Sequence, residues 1–113
     1  MNYFNQSDYT EARTYYDRAL KIAKELNYEF GIAEVMERIG IIYREQSNYI
    51  DALDYDLKAL TMYEELDNKN GEAAIELNMG NIFGEQNYYS KAFEHLDKAL
   101  TIYKELNNKE EKQ

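Results

Sequence analysis

The chain has 113 residues, 44% hydrophobic and 31% charged, with 22 acidic against 13 basic side chains and a net charge of -9. One domain with a thin core fits this length. Cysteine is absent, which excludes disulfides, thiolate zinc sites and cysteine nucleophiles, and the acidic balance argues against nucleic acid or an anionic membrane as partner.

Proline is absent too, and no secretory or membrane signal opens the chain. The longest apolar stretch, Ile39 to Tyr43, is far short of the about 20 residues that span a bilayer, so a cytoplasmic location is the default. From the amino terminus, Ala12, Tyr15, Tyr16, Ala19, Ala23 and Leu26 fall three or four apart, the spacing of one helix face, here called B type. Val35, Ile39, Ile42 and Tyr43 predict a second helix, of A type. The polar break Gln46-Ser47-Asn48 precedes another B helix carrying Ala52, Ala59, Tyr63 and Leu66. A longer break, Asp67 to Gly71, leads to an A helix with Ile75, Met79, Ile82 and Phe83. The last B helix carries Ala92, Leu96, Ala99, Tyr103 and Leu106. Asn, Ser and Gly in the breaks are residues that cap helices and make turns.

These elements repeat. Tyr9, Tyr49 and Tyr89 recur at an interval of 40 residues, as do Ala12, Ala52 and Ala92; Ala19, Ala59 and Ala99; Leu20, Leu60 and Leu100; and Leu26, Leu66 and Leu106. The same frame pairs Gly31 with Gly71, Gly40 with Gly80 and Tyr43 with Phe83. A period of this size marks a stacked array in which each unit hides its apolar face only against its neighbours. The fold predicted is all-α, an antiparallel helix-pair solenoid of about five helices in the order B-A-B-A-B. Its array covers residues 1–107, divided into a partial repeat 1–30 and repeats 31–70 and 71–107, with a polar tail at 108–113. Gly40 and Gly80 fall inside helices, where glycine costs about 1 kcal/mol relative to alanine, and close approach of the B-helix alanines is the offsetting reason.

Met79-Gly80 followed by Phe83, then Ala92, Leu96 and Ala99, resembles the tetratricopeptide repeat, and Ile39-Gly40, Tyr43, Ala52 and Ala59 repeat the pattern. The likeness runs from Tyr3 to about Leu106. The common unit of about 34 residues ends near a proline. This one is longer and lacks it, similar to the extended branch seen in kinesin light chains and in sensor domains of bacterial quorum-sensing regulators. The resemblance implies a scaffold that binds a peptide or protein in a groove lined by A helices. Met1 aligns with Ile41 and Tyr3 with Tyr43, so the first unit lacks nearly all of its A helix, and a fragment of a larger regulator is the expectation. Both end helices then expose apolar surface, which makes a homo-oligomer, as a dimer or a head-to-tail assembly, the alternative function.

On the same resemblance, the groove residues are Glu34, Glu37, Arg38, Ile41 and Glu45 on one A helix, and Ala74, Leu77, Asn78, Asn81 and Glu85 on the next. Related repeats use an asparagine at the place of Asn78 to hold a ligand's backbone, and an amide both donates and accepts; solvation of an exposed helix face is the plain alternative. Arg38 is expected to pair with Glu34 or Glu37 on its own helix. The acidic and apolar mixture suits a partner with basic and apolar side chains, not one held by a terminal carboxylate. Asp56 falls on the core stripe in register with Tyr16 and Leu96, and a slight helix rotation bringing in Tyr55 or Leu57 is the expected accommodation. His95, the one histidine, reads as a surface residue. No nucleophile elbow, phosphate loop or metal-ligand cluster is present, so neither enzyme activity nor a cofactor is expected.

Overall fold

A computed structural model describes residues 6–111, with side chains from 8 to 108; Met1, Tyr3 and the end of the polar tail lie outside the described residues. Within them the chain forms five helices and no strand: α1 (Gln6–Glu25), α2 (Glu29–Glu45), α3 (Tyr49–Glu65), α4 (Lys69–Glu85) and α5 (Tyr89–Glu111). The B-type helices are α1, α3 and α5, and the A-type helices are α2 and α4. α5 continues beyond residue 107, to Glu111.

All four connections are alike and short. In each, the middle residue adopts a left-handed conformation: Asn27 at φ 54°, Ser47 at 61°, Asp67 at 53° and Asn87 at 68°. The backbone then folds back on the helix just finished. Tyr28 N–H donates to the Ala23 carbonyl and Asn27 N–H to that of Lys24, the paired bonds of a Schellman ending, which satisfy carbonyls the helix leaves open. The same two bonds recur at Asn48 and Ser47, at Asn68 and Asp67, and at Tyr88 and Asn87. The break expected from Asp67 to Gly71 is shorter than the sequence suggests. Asn68 accepts from Gly71 N–H at 2.8 Å, an N-cap that starts α4 at Lys69 and leaves Gly71 inside the helix.

Helices pack in succession. α2 lies on α3 and α4 on α5 as antiparallel hairpins, while α1 docks on α2 and α3 on α4. Among the described residues the backbone of α1 packs only on α2, and that of α5 only on α4. The radius of gyration of 15.0 Å exceeds the about 13 Å of a compact domain of about 100 residues. The shape is therefore that of a row of layers.

The core runs along this row through Ala33, Ala59, Tyr63, Ile75 and Met79. Ile39, Ile75 and Ile82 are fully buried, each contributing about 1.5–3 kcal/mol of apolar transfer. The two helical glycines set the hairpin spacing. A Cβ on Gly80 would stand 2.8 Å from Leu96 Cγ and 3.2 Å from the Ala92 carbonyl oxygen, and one on Gly40 would stand 2.7 Å from Asp56 Oδ1 and 3.4 Å from the Ala52 carbonyl oxygen. The B helix thus approaches at an alanine in both hairpins. On α1, Tyr15 and Leu26 are exposed, against the stripe read from spacing. Tyr15 is the repeat mate of Tyr55 and His95, which lie against the A helix of their own hairpins, and no such helix covers α1 among the described residues. Leu26 falls in the turn beyond the end of α1.

Candidate functional site

The backbones of the two A helices approach each other, whereas those of the B helices do not come together among the described residues. Helices that reach their next-but-one neighbour lie on the inner side of a curved row, so α2 and α4 line the inner face. One ion pair ties them together: Arg44 Nη2 lies 2.6 Å from Glu85 Oε1. Tyr49 donates its hydroxyl to Glu85 Oε2 at 3.2 Å, which brings the start of α3 into the same cluster. Ile41, Arg44, Glu45, Ser47 and Glu85 together line a cleft of about 300 Å³.

Of the residues expected in the groove, Ile41, Glu45 and Glu85 share this cleft. Glu37, half-buried, accepts the Tyr63 hydroxyl at 2.8 Å. Burial first, and then this carboxylate, push the Tyr63 hydroxyl above its ordinary range. Glu34 and Arg38 are exposed on α2, Leu77 is exposed on α4, and Ala74, Asn78 and Asn81 are half-buried there. The expected pairing of Arg38 with Glu34 or Glu37 does not form; the ion pairs among the described residues leave it out. Glu37 instead accepts the hydroxyl of Tyr63 on the next helix. The residue missed by sequence reasoning is Arg44. Its signal was spacing, three residues beyond Ile41 on the same face.

A second polar cluster joins α1 to α2 and α3. Arg13 donates from Nη1 to the Tyr43 hydroxyl and from Nη2 to the Tyr55 hydroxyl at 3.1 Å. Its guanidinium stands 5.2 and 5.5 Å from those two ring centroids, within the range of cation–π attraction, while Nε pairs with Asp17 at 2.9 Å. The rings themselves stack at 5.7 Å. Arg13 occupies the repeat position of Leu53 and Phe93, so a charged key docks the first helix where apolar Leu53 packs against the core in the next unit.

His95 is not the surface residue the sequence suggests. It stacks on Phe83 at 5.3 Å and its Nδ1 lies 2.8 Å from Glu76 Oε1, because the repeat frame puts it in the place of Tyr55. Among the described residues no group of three His, Cys, Asp or Glu is arranged to hold a metal ion. No helix there is long and apolar enough to cross a membrane. Asp56 also departs from expectation. The helix does not rotate; Leu57 is exposed, and the carboxyl itself is 1% exposed, set against Gly40.

A family model described as the tetratricopeptide repeat matches residues 1–65 and again residues 31–105. The chain belongs to the tetratricopeptide repeat family. A search of curated proteins gives no match. Tetratricopeptide repeats are non-catalytic scaffolds that mediate protein–protein interaction, and the inner face of this one is built on α2 and α4.

Proposed function

We propose that this tetratricopeptide array binds a polypeptide segment bearing basic and apolar side chains along the inner face of α2 and α4. The observation that carries this reading is the makeup of that face. Glu34, Glu37, Glu45 and Glu85 stand against Arg38 and Arg44, and Arg44 is already neutralised by Glu85. Beside these acids, Ile41 and Leu77 offer apolar contact. The Asn78 and Asn81 amides, one helical turn apart, supply donors and acceptors for a ligand's main chain. A net charge of -9 speeds encounter with a cationic segment and slows it with an anionic one.

The test is fluorescence anisotropy with a labelled Lys/Leu-rich peptide and a Glu/Leu-rich peptide of equal length. The cationic peptide should bind, with affinity falling as salt rises. Replacing both asparagines, Asn78→Ala with Asn81→Ala, should weaken it by about tenfold or more, the loss of two hydrogen bonds of about 0.5–1.5 kcal/mol each. Equal binding of both peptides, or an unchanged double variant, counts against the inner face.

A separate observation favours self-association as a second reading. Phe93 and Tyr103 on the outer face of α5 are 69% and 41% exposed, whereas Tyr63, the repeat mate of Tyr103, is 2% exposed beneath α4. Leu100 is exposed beside them, and Tyr15 and Ile22 are exposed on α1. Contact between copies would cover these side chains. Light scattering across a concentration series should then show growing mass, lost on Leu100→Glu; a single monomeric mass at every concentration removes this reading.

A further inference from the structure

The least expected group in the molecule is a carboxyl with nowhere to put its charge. Asp56 sits in the middle of α3, in register with Tyr16 and Leu96. In the following hairpin Leu96 fills the hollow over Gly80, and here the hollow over Gly40 receives Asp56 Oδ1. Both carboxyl oxygens are buried without a hydrogen-bond partner. A charge so placed is costly unless donors or a cation compensate it.

The donors and cations of the surrounding helices are engaged elsewhere. The Tyr63 hydroxyl, on the same helix, donates to Glu37. Arg44 of α2, whose charge favours ionised Asp56, turns its guanidinium to Glu85 of α4 at 2.6 Å. Arg13 of α1 is held by Tyr43, Tyr55 and Asp17. Glu37 of α2 adds repulsion. The backbone at this contact offers the Ala52 carbonyl, an acceptor. Burial, the missing hydrogen bonds and Glu37 together outweigh Arg44 and favour the neutral acid, which gains an O–H donor and sheds the charge that burial penalises.

We propose that Asp56 is a proton-operated latch between α2 and α3, closed when the carboxyl is protonated and loosened when it ionises against Gly40. Burial above all, and then Glu37, raise the carboxyl from 3.8 to about 7, so the latch works across the neutral range where ordinary carboxylates do not change charge. α2 also carries Glu37, Arg38, Ile41 and Arg44. Acidification should hence firm the α2 half of the inner face; that consequence rests on the proposed groove, whereas the latch does not.

The direct test is a carbon-detected NMR titration of the aspartate carboxyls in the full chain, with the Asp56 signal identified by its loss in Asp56→Asn. Its midpoint is expected near 7, moving down in Glu37→Gln. A midpoint near the ordinary value of about 4 overturns the proposal. A companion measurement needs no assignment. Thermal unfolding of the wild type and Asp56→Asn is compared from about pH 5 to about pH 8, and the asparagine variant should gain on the wild type as pH rises and then keep a constant lead. A gap that does not change with pH overturns the latch whatever the absolute stability of the variant. Peptide binding enters neither measurement, so a failed groove and a failed latch give different results.

Discussion

At Gly80 the added methyl of an alanine would meet Leu96 Cγ at 2.8 Å and the Ala92 carbonyl oxygen at 3.2 Å. The helix itself would gain about 1 kcal/mol from the exchange, but overpacking costs about 1–3 kcal/mol, and the main-chain oxygen can retreat only by moving α5. Gly80→Ala should therefore lower stability by up to about 2 kcal/mol in urea denaturation. Asp56 gives a signed pH dependence. Its folded value, about 7, lies above the 3.8 of the unfolded chain, so the folded state holds the extra proton between them. Its contribution is complete below about pH 4, declines as pH rises through about 7 and is absent above that. The difference amounts to roughly 4 kcal/mol for a shift of about three units. Asp56→Asn should flatten this part of the stability-against-pH curve. The glycine and alanine contacts were legible from their shared period, because small residues recurring in phase have few other uses. The carboxyl was not legible as buried, since the cost of burying a charge argues for rotation, and only the hollow above Gly40 shows why α3 keeps its phase. His95 was hidden by its type: a lone histidine suggests solvent, while its repeat position, shared with Tyr55, points to ring stacking.

Helix ends obey a rule of their own. Four different sequences, Leu26-Asn27-Tyr28, Gln46-Ser47-Asn48, Leu66-Asp67-Asn68 and Gln86-Asn87-Tyr88, close on the same pair of backbone bonds, and none places glycine at the left-handed position. Serine is the least suited of the four middle residues, since asparagine and aspartate tolerate that conformation better. Ser47→Gly should raise stability by up to about 1 kcal/mol, the relief of left-handed strain of about 1–2 kcal/mol less glycine's own conformational cost of about 0.5–1 kcal/mol, read as an increase in the thermal midpoint. Asn68→Ala should do the opposite by about 1 kcal/mol, the value of a side-chain cap, since it removes the acceptor for Gly71 N–H. The existence and order of the helices could be read from apolar spacing alone. Their edges could not, because a run such as Asp67-Asn-Lys-Asn-Gly71 has turn-forming composition throughout, and only the bond from Gly71 to Asn68 assigns its second half to α4.

Across the whole molecule, the 40-residue period implied succession and the contacts deliver it, each layer touching its neighbours. The inner and outer sides were not written in the period. They follow from which helix backbones reach past their neighbour, a property of curvature that no single repeat contains. Arg44 escaped notice for the same reason, since its partner Glu85 lies 41 residues away in another layer. Because these side chains are partly exposed, salt should weaken their attraction. Small-angle scattering at rising ionic strength should show the radius of gyration growing beyond 15.0 Å, and Arg44→Gln should reach the expanded value without salt. No change in either condition would mean that packing alone holds the bend. If salt opens the bend, the Arg44–Glu85 bond is the drawstring of the spine: its tightness would govern how far the two inner helices gape, and the proposed cationic guest, competing for Glu85, would slacken it on arrival and widen its own berth.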